Sequence, residues 1–381
     1  MTSLLDRPRT VAPRRVPRSR LALGALGLLA LLSGLWAALL LLGLPVPVPH
    51  RLSAGADFAE VHGPLMVLGF LGTLISLERA VALDVRPGYL VPAAAGLGGA
   101  SLAAGLPLVV GQVLLTAAGA GLIGLYALAA QRQASLHLAV MAAGAFSWLT
   151  AALLWLAGWD VALVVPWLAG FLVLTITGER LELSRLVRLT DAARAWFVAA
   201  AAVFVGGLVV SVADVGAGVR VAGAGLVALA AWLAVHDVAR RTVRQRGLPR
   251  YMAVCLLCGY GWLALAGSLW LAFGTLEDGS AYDAMLHALF LGFVIGMVFA
   301  HAPVIVPAVF RAAVPYRPHF YGHVALLQGS LLLRIVGGDV AGSRLLWQVG
   351  GVLNEVALLC FVAVTAHAVR SARRPLTPSS R

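Results

Sequence analysis

The chain has 381 residues, of which 61% are apolar and 12% charged, and its mean hydropathy is +0.93. Such a composition leaves too little polar surface for a water-soluble globule, so lipid must be the solvent. Arginine supplies all 28 basic residues and the formal net charge is +12. Membrane topology accounts for this charge, and no nucleic-acid partner is implied.

Twelve apolar segments follow one another along the chain, and each is helix-length. Because hydrocarbon offers backbone amides no partners, such segments must satisfy their hydrogen bonds internally as helices. The sequence predicts an all-α polytopic membrane protein with about twelve spans. The domain prediction is an Arg-rich cytoplasmic tail at 1–20, one transmembrane helical domain at 21–369 and a second cytoplasmic tail at 370–381. The predicted spans are 21–44, 57–78, 89–107, 109–130, 134–157, 161–179, 194–213, 218–238, 250–274, 281–310, 319–337 and 344–369.

Arginine is distributed very unevenly between the alternate ends of these spans. With the N-terminus inside, 24 arginines fall on the cytoplasmic side and four, Arg51, Arg220, Arg334 and Arg344, on the other, which accounts for all 28. Positive loops are retained in the cytoplasm. The sequence therefore predicts a multi-pass protein of a bacterial-type inner membrane with both termini cytoplasmic.

A short motif recurs in spans two, six and ten. Residues 69–79 (GFLGTLISLER) and 170–180 (GFLVLTITGER) match at six of eleven positions, and the tenth span repeats the Gly-Phe pair at Gly292. Nine residues after the first glycine the three spans carry Glu78, Glu179 and His301. A recurrence every four helices predicts three four-helix units around one axis.

Two histidines lie at similar predicted depths on the side away from the arginines. His62 is about five residues into the second span, and His287 is about seven into the tenth, counted from Ser280, which has a capping-box spacing to Asp283. Gly63 and Gly292 are expected to leave open space beside the imidazoles, enough for a macrocycle. Two imidazoles facing one another at one height can ligate a haem iron. The alternative is that each histidine hydrogen-bonds a helix carbonyl and holds the bundle together.

A second polar group lies toward the Arg-rich side. His301 is fourteen residues after His287 on one helix face, so it is a candidate ligand of an inner haem. Candidate partners near the same ends of their spans are His137, His319, His323 and His367. The competing interpretation is a polar network of His301 with Glu78, Arg79, Glu179 and Arg180.

Two segments resemble a known family. Residues 62–72 (HGPLMVLGFLG) and 286–297 (LHALFLGFVIGM) are similar to the histidine-bearing helices of NnrS-like proteins. Those are twelve-span membrane proteins containing haem and copper, linked to nitric oxide stress, and similar to subunit I of haem-copper oxidases. The resemblance implies haem b held by His62 and His287, with copper as a further cofactor, an external redox partner, and a role in nitrosative stress or membrane electron transfer.

The chain also departs from the oxidase pattern. Spans six and seven carry no histidine, so a binuclear reductase centre is not expected. Two other classes of function stay open. A secondary transporter would use the Glu/Arg/His network as its path, and a structural subunit would use it for stability alone.

Overall fold

The computed structural model describes residues 17–47, 55–184 and 189–372, without the side chains of residues 55–57. Those ranges contain twelve main helices and no strand, so the all-α prediction is confirmed. Residues 1–16 and 373–381 of the predicted tails lie outside the described residues. The helices are α1 Arg18–Leu41, α2 His62–Leu83, α3 Leu90–Ala103, α4 Leu108–Arg132, α5 Leu136–Leu156, α6 Val161–Leu183, α7 Asp191–Val210, α8 Val215–His236, α9 Leu248–Phe273, α10 Gly279–Phe310, α11 Phe320–Val340 and α12 Arg344–Ala372.

Within the described ranges, eleven of these helices are long and apolar enough to cross a membrane. The exception is α3, which has 14 residues and spans about 21 Å at 1.5 Å per residue. A 3₁₀ turn at Arg86–Tyr89 precedes it and adds about 8 Å. Together they approach the hydrocarbon thickness of about 30 Å.

The outer surface of the bundle is apolar. Large hydrophobic side chains point outward along several helices, including Leu32, Val109, Phe146, Val209 and Leu271. A water-soluble protein of this size would cover such residues. The protein is therefore embedded in a membrane, and these side chains face lipid.

Helices α2, α6 and α10 are the most buried. In the 18-residue apolar stretch of each of these helices, 61%, 78% and 61% of the residues are buried. The share is 56% for α8 and 50% or less for the other spanning helices. These are the three helices that share the Gly-Phe motif. The motif therefore belongs to the centre of the bundle, and the other helices surround it.

Polar side chains inside the bundle bond mainly to helix carbonyls. The indole Nε1 of Trp148 donates to the Leu115 carbonyl at 3.0 Å, and that of Trp232 to the Ala193 carbonyl at 2.8 Å. Such bonds are needed because the membrane interior supplies no water. They tie α4 to α5 and α7 to α8.

The two ends of the bundle differ in arginine content, and we call them the Arg-rich face, where α1 begins, and the Arg-poor face, where α1 ends. Hydrogen bonds between distant residues fix which helix ends share a face. At the Arg-rich face Arg20 donates to the Val309 carbonyl at 3.0 Å, joining the start of α1 to the end of α10. At the Arg-poor face Gln348 donates to the Leu42 carbonyl at 2.9 Å.

Candidate functional site

His62 and His287 lie at similar depths below the Arg-poor face. A short helix, Gly55–Glu60, precedes α2, so His62 is seven residues beyond Gly55 and His287 is eight beyond Gly279. At 1.5 Å per residue both lie about 10–12 Å from these helix starts. The two side chains are within electrostatic range of each other. Each histidine therefore lies on one of the central helices, His62 on α2 and His287 on α10, at about the same depth.

Both imidazoles are held through the same ring nitrogen. Nδ1 of His62 is 2.8 Å from the Gly34 carbonyl of α1, and Nδ1 of His287 is 2.7 Å from the Asp283 carbonyl. A carbonyl oxygen can only accept, so Nδ1 must carry the proton in each ring. The Nε2 atoms have no hydrogen-bond partner among the described residues. Each neutral ring therefore keeps its lone pair at Nε2, the arrangement found in metal-binding histidines.

An ion pair supports His287 from the neighbouring helix. Arg334 of α11 donates to both carboxylate oxygens of Asp283, at 2.6 and 2.8 Å, and the Trp347 indole donates to Oδ2 at 3.1 Å. The guanidinium also stacks on the Trp347 ring at 4.8 Å. Arg334 is within electrostatic range of both His62 and His287. This cluster locks the turn of α10 that presents His287.

A π-helical segment follows each of the two histidines. Leu65–Leu71 in α2 and Ala288–Ile295 in α10 are π-helical, and each begins just after its histidine. A third π-helical segment, Leu333–Val340 in α11, contains Arg334. A π-helical turn contains more residues than an α-helical turn, so it changes the direction in which the following side chains point. Such segments are frequent at functional sites. The pattern of apolar residues in the sequence does not predict any of these three π-helical segments.

Two details expected beside the histidines are wrong. Gly292 does not open space for a macrocycle, because an added Cβ would collide with the Trp262 ring of α9. An added Cβ at Gly63 would be 3.6 Å from Val161, which is ordinary packing. Ser280 does not cap α10, because the helix already begins at Gly279, and the carboxylate of Asp283 bonds Arg334 and Trp347.

Near the Arg-rich face, α2 and α6 are joined by a carboxylate pair that shares one guanidinium. Nη2 of Arg79 donates to Glu78 Oε1 at 2.9 Å and to Glu179 Oε1 at 3.1 Å. The predicted spans ended at 78 and 179, whereas α2 continues to Leu83 and α6 to Leu183. These charges therefore lie inside the helices and not in the connections.

Arg180 contacts one member of the predicted network and one residue outside it. Its Nε donates to Asp237 Oδ2 at 2.8 Å. Its Nη1 donates to Nε2 of His301 at 2.9 Å, and Nδ1 of His301 bonds the Met297 carbonyl at 2.7 Å. Both ring nitrogens of His301 are thus engaged, which favours the polar network over an inner haem ligand.

Asp237 is the residue that the sequence interpretation missed. Its side chain is 1% exposed and that of Arg180 is 2% exposed, so this is a fully buried ion pair. The sequence signal was an acidic residue directly after the long apolar run of α8, at the depth of the other charges.

His323 contacts Tyr251 of α9 and Phe299 of α10. Its Nε2 is 3.0 Å from the Tyr251 hydroxyl, and its ring packs edge-on against Phe299 at 4.8 Å. Its buried Nδ1 has no partner in the described part of the chain. No group of three or more His, Cys, Asp or Glu side chains in the described ranges is placed to hold a metal ion.

The fold and these sites define a polytopic helical membrane protein with ionisable side chains buried at two depths. Residues 20–370 match the sequence model of a family described as Domain of unknown function (DUF8744), and the chain belongs to this family. No curated protein and no solved structure matches the chain.

Proposed function

We propose that the protein binds haem b, with His62 and His287 as the two axial ligands. The observation that supports this most directly is the shared state of the two rings. Each Nδ1 is fixed by a carbonyl, and each Nε2 lone pair is left for a metal between two central helices. The similarity of residues 62–72 and 286–297 to NnrS-like proteins agrees with this assignment.

The polarity and charge of the surroundings support such a group. A bound haem would supply one-electron redox chemistry, and the apolar helices around it would exclude water. The chain's own part is to hold the imidazoles and to keep Arg334 as a fixed positive charge within range of both. Arg334 remains in place because Asp283 and Trp347 bind it. The proposed roles are membrane electron transfer or the response to nitrosative stress.

Asparagine variants separate this proposal from a purely structural role. The amide nitrogen of Asn occupies about the place of Nδ1, so His62→Asn and His287→Asn keep a donor for each carbonyl but remove Nε2. Wild-type protein purified from haem-replete cells should show a Soret band and a low-spin six-coordinate spectrum. Each Asn variant should lose the low-spin signature.

The matched control is His236→Ala, which changes a half-buried histidine at the end of α8, at the Arg-rich face. It should leave the spectrum unchanged. A colourless wild-type protein, or Asn variants with the full wild-type haem content and spectrum, would refute the proposal and leave the carbonyl-bonded structural role.

The proposed orientation places the Arg-rich face and both termini in the cytoplasm of a bacterial-type inner membrane. The haem then lies in the outer half of the bilayer, accessible to an external redox partner. Leu106 and Gln133 are exposed at opposite ends of α4. In a background without the native cysteines, Leu106→Cys should react with an impermeant thiol reagent on intact cells and Gln133→Cys should not. The reverse labelling pattern would overturn the orientation.

The network near the Arg-rich face supports a second candidate function, proton movement by a transporter. Three carboxylates there, Glu78, Glu179 and Asp237, face two guanidiniums, those of Arg79 and Arg180. One formal negative charge is in excess, which provides a place for a proton. Proton flux into proteoliposomes that Glu179→Gln abolishes would support this function, and the absence of any flux in the wild type would count against it.

A further inference from the structure

A cavity of about 560 Å³ opens at the Arg-rich face between the start of α7 and the end of α8. Its polar lining consists of Thr190, His236, Asp237, Arg240, Arg241 and Arg244. Leu189 and Val235 add apolar lining at the same level. The cavity therefore combines guanidinium groups with an apolar border at the depth where the helices leave the membrane.

The positive charge in this cavity is not balanced by the described residues. Arg240 donates to the Val235 carbonyl at 2.8 Å, whereas Arg241 and Arg244 have no carboxylate partner in the described ranges. Asp237 cannot neutralise them, because its carboxylate already accepts from Arg180 at 2.8 Å and from the Ala239 amide at 2.7 Å. Three exposed guanidiniums thus converge on one pocket.

We propose that this pocket binds the phosphate group of an anionic ligand. Guanidinium groups bind phosphate oxygens through paired hydrogen bonds, and they do so with more geometric specificity than an ammonium group. Two sources can present such a phosphate at this level: the headgroup of an anionic phospholipid and a free phosphate in water. The proposal does not depend on haem binding, since the pocket lies at the opposite face from His62 and His287.

The pocket also touches the buried network. Asp237 forms part of its lining and pairs with Arg180, which in turn holds His301. A bound phosphate would therefore lie beside the carboxylate that neutralises Arg180. Occupancy of the pocket is expected to stabilise the folded protein, because the phosphate binds guanidinium groups that only the folded α7–α8 end brings together.

Two pairs of substitutions test the proposal with equal changes in charge. The test pair is Arg241→Gln with Arg244→Gln, and the control pair is Arg246→Gln with Arg317→Gln. The control arginines are also exposed at the Arg-rich face but do not line the pocket. In the first arm, the full-length proteins are placed in nanodiscs of phosphatidylglycerol and phosphatidylcholine, and native mass spectrometry measures the phosphatidylglycerol that stays bound. In the second arm, proteins in phosphatidylcholine nanodiscs are heated with inorganic phosphate or with chloride of equal ionic strength.

A lipid headgroup is the source if the test pair retains about tenfold less phosphatidylglycerol and the control pair changes by less than about twofold. A free phosphate is the source if inorganic phosphate raises the melting temperature of the wild type and the control pair but not of the test pair. The proposal is overturned if the test pair behaves as the wild type in both arms. It is also overturned if the two pairs change equally, because the effect is then one of general surface charge.

Discussion

The buried pair of Arg180 and Asp237 gives the sharpest prediction about stability. The two side chains are 2% and 1% exposed and their atoms Nε and Oδ2 are 2.8 Å apart. Removing one partner leaves an uncompensated buried charge, which destabilises a protein by about 3–5 kcal/mol. Asp237→Asn isolates this charge, because an amide oxygen can still accept the bond from the Ala239 amide. Arg180→Gln should have an effect of similar size.

The double variant Arg180→Gln with Asp237→Asn leaves no unpaired charge. Its loss of unfolding free energy should therefore be smaller than the sum of the single losses by about 2–3 kcal/mol. The measurement is a double-mutant cycle by reversible unfolding of the purified protein in detergent. The exposed pair Asp191 and Arg194, 3.9 Å apart, is the control cycle and should show no measurable coupling. Additivity within about 0.5 kcal/mol at the buried pair would refute the reasoning.

Two further predictions concern the surroundings of His287. Gly292→Ala places a methyl group against the Trp262 ring and should lower the free energy of unfolding by about 1–3 kcal/mol. Gly261→Ala, on the same helix as Trp262 but with no atom near its added Cβ, should have no destabilising effect, and equal losses in the two variants would contradict the packing argument. Asp283→Asn weakens two charge-assisted bonds to Arg334 and should cost about 2 kcal/mol in unfolding experiments. An unchanged stability would show that Arg334 does not need this carboxylate.

The sequence was informative wherever hydrocarbon constrains the chain directly. Apolar segments must be helical and long enough to cross, so the spans could be located to within a few residues. The end of the third span was predicted less accurately, because Gly105 ends α3 earlier than the apolar run suggests. The recurrence in α2, α6 and α10 also marked the most buried helices, since glycine and aromatic residues pack where helices meet closely.

What the sequence determined by itself is the set of crossings, the uneven distribution of arginine, and the candidate residues at two depths. The tertiary structure alone decided their partners. Arg180 pairs with Asp237 of α8, and Asp283 holds Arg334 of α11. Such pairings depend on how each helix is rotated about its axis and on where its π-helical turns lie. One pattern of Leu, Ala and Val along a helix is compatible with several rotations and several positions of these turns. Lipid fixes where a helix must run because every backbone group must be bonded within it, whereas the contacts between helices are fixed only when all of them pack together.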